Sequence, residues 1–143
     1  MSIPSLEALY TQKLLDYAAN IPRMGHLSQP DASATCFAKL CGSQISVEIQ
    51  VKNGCISDYA HTVEACALGK TSASIVAHNI IGQSLKDVLH LRDVMHVFLT
   101  QKGDAPTGVW SELALLAPIQ AFPQRHASTL LVFEALAKAI KSL

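Results

Sequence analysis

The sequence predicts an α+β fold, a small antiparallel three-stranded sheet packed against several helices. Three observations point there. Ile45, Val47, Ile49 and Val51 alternate with Gln44, Ser46, Glu48, Gln50 and Lys52, the period of a strand with one wet face. Asn53-Gly54 follows at once, the strongest short signal for a tight hairpin. On either side of that hairpin the apolar spacing turns helical. A chain of 143 residues can bury a real core, and residues 1–143 read as one domain without repeat, linker or low-complexity stretch.

Residues 5–19 form the first expected helix. Leu6, Leu9, Tyr10, Leu14 and Tyr17 recur at helical spacing, Ser5 is a suitable N-cap, and Pro22 ends the segment. Asn20 to Leu27 is turn chemistry around Pro22 and Gly25. Residues 33–40 are expected as the first strand, with Ala34, Cys36, Ala38 and Leu40 on one face. Gly42 allows a bend before the strand of Gln44–Lys52. The return strand runs from Cys55 to about Val63. Tyr59, His61 and Val63 share a face while Ile56 is out of phase, so a bulge is expected near Ser57-Asp58. His61 then reads as a hydrogen-bonded core residue.

The next helix begins at Cys66 and is rich in small residues: Ala67, Gly69, Ser72, Ala73 and Ser74. Such a surface lets neighbouring backbone approach closely. Gly82 is expected to close it. Ser84 and Asp87 then stand like a capping box for a helix that buries Leu85, Val88, Leu89, Leu91, Met95, Phe98 and Leu99. His90 and His96 fall off that face and read as solvated. Gln101–Gly108 is a surface loop, Trp110 to about Leu116 a short helix, and Ile119–Phe122 an extended link framed by Pro118 and Pro123. Ala127–Leu143 is the last helix, with Leu130, Phe133, Leu136, Ile140 and Leu143 on one stripe and Ser128 as a candidate N-cap.

Composition narrows the function. Lys plus Arg equals Asp plus Glu at 11 each, so the basic excess of a nucleic-acid-binding surface is missing. No apolar run reaches membrane-spanning length, and the N-terminus lacks a basic flank followed by an apolar stretch. A cytoplasmic protein is expected. The four cysteines, Cys36, Cys41, Cys55 and Cys66, form no C-x-x-C pair, and in a reducing compartment they read as thiols or ligands.

Two of these thiols should converge. A hairpin centred on Asn53-Gly54 brings Cys41, at the entrance of one strand, close to level with Cys66, at the exit of the other. The bulge shifts this by a residue. A helix N-terminus favours the thiolate, the form that acts as nucleophile and metal ligand. Two thiols there make a credible pair for a soft metal or for sulfur. The competing reading is a buried structural thiol on a tightly packed helix. His126, near the start of the last helix, is the one neutral nitrogen donor at a helix start.

The order of these parts resembles the iron–sulfur cluster assembly scaffolds, meaning the NifU N-terminal, IscU-like and SufU-like proteins. The resemblance is carried by Ile21-Pro22-Arg23-Met24-Gly25, Cys41-Gly42-Ser43, Asn53 to Asp58, Cys66 with Ser72-Ala73-Ser74 and Gly82, and Phe122-Pro123-Gln124-Arg125. It covers nearly the whole chain, and Gly103–Leu116 looks like the insertion of the SufU-like branch. The resemblance implies the fold already read: a small antiparallel sheet against several helices. It also implies a non-enzymatic carrier that holds iron or a transient iron–sulfur cluster. Its partners would be a cysteine desulfurase, able to hand over a persulfide, and other iron–sulfur assembly proteins.

Family members present three cysteines and an aspartate to the metal. The first and second cysteines match Cys41 and Cys66. The aspartate falls on Ser43 and the third cysteine on Ser128. Neutral serine is a poor zinc or iron ligand beside thiolate or carboxylate, so a lasting zinc site is weakened. His126, two residues before Ser128, is the candidate third donor to Cys41 and Cys66. The same two serines support the alternative of a degenerate member, acting as a binding or regulatory module without a cluster.

Overall fold

In a computed structural model, residues 11–39 and 42–143 are described. Helix α1 spans Gln12–Ala19, strand β1 Ala32–Ala38, β2 Ser43–Lys52 and β3 Cys55–Glu64. Helix α2 spans Ala67–Asn79, α3 Leu85–Thr100 and α4 His126–Lys141, with 3₁₀ turns over Gly108–Ala121 and Pro123–Arg125 between α3 and α4. The strands form one antiparallel sheet in the order β1-β2-β3. No helix among the described residues is long and apolar enough to cross a membrane.

The hairpin is built as its residues dictate. Asn53 and Gly54 both take positive φ, 54° and 74°, the backbone of a turn whose twist matches the flanking strands. Lys52 pairs with Cys55 and Val51 with Ile56, but Gln50 pairs with Asp58, leaving Ser57 as the extra residue of a bulge. The bulge rotates the rest of β3 so that Tyr59, His61 and Val63 face inward beside Ile49, Val47 and Ile45. Arg23–Gly25 covers the outer edge of β3: His61 N–H donates to the Arg23 carbonyl and Gly25 N–H to the His61 carbonyl.

Helix α4 packs on β1 and β2, with α2 beside it and α3 across it, while α1 leans on α2. Being enclosed, α4 is buried over most of its circumference rather than along one stripe, and Leu143 is exposed. Thr11 caps α1, accepting from Leu14 N–H at 3.3 Å. The expected N-terminal part of that helix, with Ser5, Leu6, Leu9 and Tyr10, lies outside the described residues. Ser84 caps α3 by accepting from Asp87 N–H at 3.1 Å.

Four expectations need correcting. Helix α2 ends at Asn79, and Gly82 lies in the following turn, where its N–H donates to the Ile56 carbonyl. Ser128 is not the cap of α4, which starts from Arg125 without a side-chain cap; Ser128 is buried instead. His96 is only partly solvated, with 38% of its side chain exposed, and contacts the Glu134 carboxylate, which Arg92 also grips with two bonds. Finally, the segment read as a short helix plus an extended link is one 3₁₀ run. Trp110, Leu113, Leu116 and Ile119 are all buried, and that spacing of three is the 3₁₀ period.

Candidate functional site

Cys66 is the last residue before α2, with extended backbone (φ −68°, ψ 171°) and no side-chain cap hydrogen bond. Its thiol therefore stands at the positive end of a 13-residue helix. Gln44 pairs with Glu64, so the residues just outside that pair, Gly42-Ser43 and Ala65-Cys66, meet at one end of the sheet. They line a single shallow pocket together with Val63, Glu64 and Lys70. Cys41, the neighbour of Gly42, lies outside the described residues.

Behind Cys66 stands α4. The Cys66 Sγ lies 3.4 Å from Ser128 Oγ, and Ser128 is 2% exposed. Ser128 Oγ also donates to the Arg125 carbonyl at 3.2 Å, which leaves its lone pairs toward the sulfur. The contact exists because α2 and α4 touch at backbone distance. Gly69 faces the Ser128 carbonyl, and a methyl group there would come within 3.1 Å of that oxygen. One turn on, Ser72 Oγ donates to the Thr129 carbonyl at 2.8 Å. On the opposite flank, Thr71 Oγ1 shares its one proton between the Leu14 carbonyl at 2.9 Å and the Ala67 carbonyl of its own helix at 2.8 Å, and Ser74 Oγ donates to the Asn20 carbonyl at 3.3 Å. The small residues of α2 thus clamp it between α1 and α4, and the clamp presents Ser128 to Cys66.

The remaining polar candidates lie elsewhere. Ser43 is 3% exposed and lines the Cys66 pocket. His126 does not line it; its Nε2 donates to the Ile119 carbonyl at 2.8 Å, so Nδ1 is the nitrogen left for another partner. Among the described residues, no three His, Cys, Asp or Glu side chains converge as a metal group. His61 is fully buried, with Nε2 2.8 Å from the Pro22 carbonyl and Nδ1 3.4 Å from the Tyr59 hydroxyl. Burial lowers its pKa, against the raising pull of the Pro22 carbonyl. Burial pushes the Cys36 thiol up, which disfavours thiolate there even though Lys138 pulls the other way. Cys55 sits at the turn end of β3, the end away from Cys66.

Lys70 is the site residue that the reading of the sequence missed. It stands four residues after Cys66, and residues at that spacing on a helix share a face. The signal was therefore present, in the distance from the thiol rather than in any motif.

The comparisons agree with this geometry. Residues 9–129 match the model of the NifU-like N terminal domain family. The crystal structure of a nitrogen-fixing NifU-like protein (N-terminal) from Brucella abortus is 41% identical and superposes with a TM-score of 0.91, covering 93% of this chain and 92% of that one. An iron-sulfur cluster assembly scaffold protein IscU from Streptococcus pyogenes serotype M1 is 27% identical, over 99% of this chain and 88% of the relative. A candidate scaffold for the SUF system, FiSufU from Fervidobacterium islandicum AW-1, shares the fold at a TM-score of 0.87 with 16% identity, covering 95% of this chain and 99% of that one. With a three-stranded antiparallel sheet, a helix opening at Cys66 and a family match across most of its length, this chain belongs to the NifU-like N terminal domain family.

Proposed function

We propose that this protein is a scaffold or carrier in iron–sulfur cluster assembly, accepting sulfur and iron at Cys66 and Cys41. The observation that carries the reading is Cys66 itself: half-buried, at the uncapped start of α2, opening into the pocket of Gly42, Ser43, Glu64 and Lys70. A cysteine desulfurase is the sulfur donor in this reading. The Cys66 thiolate attacks the outer sulfur of the donor's persulfide. The donor's S–S bond breaks, its thiolate leaves, and the sulfur stays on Cys66 as a new persulfide. No outside oxidant is needed. Lys70 and the N–H groups of the first α2 turn face the resulting negative charge. Iron then joins at the two thiols as cargo, with His126 Nδ1 the available nitrogen donor if α4 yields at its first turn.

A second reading rests on a separate observation. Ser128 lies 3.4 Å from Cys66, and the family resemblance matches it to the third cysteine and Ser43 to the aspartate. Both are buried. In this reading the protein keeps the fold and its partners but holds no cluster.

One experiment separates the two. The protein is incubated anaerobically with ferrous iron, cysteine and a desulfurase, and visible charge-transfer absorption is followed beside Cys41→Ser and Cys66→Ser. The scaffold reading requires absorption in the parent and its loss in both variants. Its absence from the parent, with desulfurase binding retained by both variants, is the result that establishes the module reading instead.

A further inference from the structure

The two edges of the sheet are treated differently. Arg23–Gly25 covers the edge of β3. Strand β1 pairs with β2 on one side, and among the described residues no strand lies along its other side. Every second residue of an antiparallel strand turns its N–H and C=O away from its partner. Lys138 Nζ donates to the Thr35 carbonyl at 3.3 Å, which places Ser33, Thr35 and Phe37 in that outward set. Phe37 is 65% exposed.

This edge borders a groove of about 560 Å³. Its floor is apolar, from Ala127, Leu130 and Leu131 of α4, and its rim is cationic, from Lys39, Arg92 and Lys138. The one carboxylate among the lining residues, Glu134, is already engaged by Arg92 and His96. Lys39 and Lys138 form no ion pair among the described residues. In a protein of zero formal net charge this is a local positive excess. Lysines along an edge disfavour a neutral strand, which would strip water from them without compensation, and repel a basic one. They leave one kind of strand favoured, an acidic one.

We propose that the β1 edge is a docking site for an extended acidic segment of a partner protein, added beside β1 as a further strand. Backbone groups of the segment pair with Ser33, Thr35 and Phe37, the Lys138 ammonium leaving the Thr35 carbonyl as the segment arrives. Alternate side chains of the segment rest on the apolar surface of Phe37 and Ala127, and its carboxylates meet Lys39 and Lys138. At roughly 3.3 Å per residue, a strand matching β1 needs about seven residues. This site is remote in function from Cys66, so its failure would leave the proposed sulfur and iron role untouched.

The test titrates the full chain with a fluorescein-labelled peptide of alternating Glu and Val. Two control peptides are used: one with Lys in place of Glu, and one N-methylated at alternate residues to remove strand pairing. The acidic peptide is expected to bind at least about tenfold more tightly than the Lys peptide, with N-methylation abolishing binding. Lys138→Glu, and separately Lys39→Glu at the other end, should each weaken it about tenfold while circular dichroism stays native. Amide shifts should concentrate at Ser33, Thr35 and Phe37. Equal binding of the Lys peptide, indifference to both charge reversals, or shifts centred elsewhere would overturn the proposal. So would a peptide-free dimer that perturbs the same amides, since that outcome assigns the edge to a second copy of the chain.

Discussion

Gly69 has no room for a methyl group. A Cβ there would lie 2.8 Å from Ala65 Cβ and 3.1 Å from the Ser128 carbonyl oxygen. Neither is the far end of a flexible side chain, so helix α2 or α4 must shift. Replacing glycine by alanine inside a helix gains about 1 kcal/mol of propensity, but overpacking costs about 1–3 kcal/mol. Gly69→Ala is therefore expected to destabilise, and urea denaturation checks the sign; a variant as stable as the parent would mean the contact yields freely. The same push separates Ser128 from Cys66, so the thiol should also change its alkylation rate. A second residue-level expectation concerns His61. Its folded pKa lies below the ordinary value of 6.5 because burial disfavours the cation. The unfolded chain then binds the proton more readily, so this contribution to stability is present above about pH 6.5 and is lost as pH falls toward the lowered value. Thermal melts at about pH 7 and about pH 5 should differ less in His61→Gln than in the parent. An unchanged difference would assign the acid sensitivity to other groups.

Among the elements, α1 depends most on a few polar contacts. It packs on α2, and only Leu14 of its residues is fully buried. Thr71 and Ser74 hold it through hydroxyl donations to the Leu14 and Asn20 carbonyls. Thr71→Val keeps the shape but removes the hydroxyl bond to the Leu14 carbonyl, which keeps only its place in the α1 ladder, at a cost of about 0.5–1.5 kcal/mol. The expected result is local undocking, seen as faster amide hydrogen exchange in α1 than in α2 or α4. Acceleration spread evenly over all three helices would instead mean that α1 is no separate unit. The contrast between elements also explains what was legible in the sequence. The hairpin, the bulge at Ser57 and the start of α2 at Cys66 are written in adjacent residues, through period-two alternation and turn chemistry. The 3₁₀ run was written too, in the spacing of Trp110, Leu113, Leu116 and Ile119, but Pro118 read as a break because α-helical bonding was assumed. Ser128 beside Cys66 was implied only by the family resemblance, and His96 beside Glu134 not at all, because the contacts join residues 62 and 38 positions apart and depend on how helices pack. At the candidate site, then, the thiol's place on its helix could be read locally, while the hydroxyl behind it could not.

For the molecule as a whole, serines at the two positions that the family resemblance matches to ligands should show in what stabilises it. Ser43 and Ser128 are both buried as neutral groups, at 3% and 2% exposure. Introducing the pattern that the resemblance implies, with Ser43→Asp and Ser128→Cys, puts a carboxylate where the chain now has a hydroxyl. Without metal, a buried carboxylate costs several kcal/mol or takes up a proton, so the metal-free double variant should melt below the parent. With zinc the balance reverses. The thiolates of Cys41 and Cys66, joined by the introduced thiolate and the introduced carboxylate, would offer four anionic ligands, the number a tetrahedral zinc ion takes. Binding to the folded state alone adds about 2.7 kcal/mol at a free zinc concentration one hundred times the dissociation constant. The double variant is thus expected to be less stable than the parent in chelator and to gain much more from zinc, as read by thermal melts in both conditions with metal analysis of the same samples. Equal gains in parent and variant would mean that the parent already completes a site without either introduced ligand, with His126 as the donor to test next. No gain in either would mean that the thiols and the introduced ligands do not converge, and the proposed pairing of Cys41 with Cys66 would fall with it.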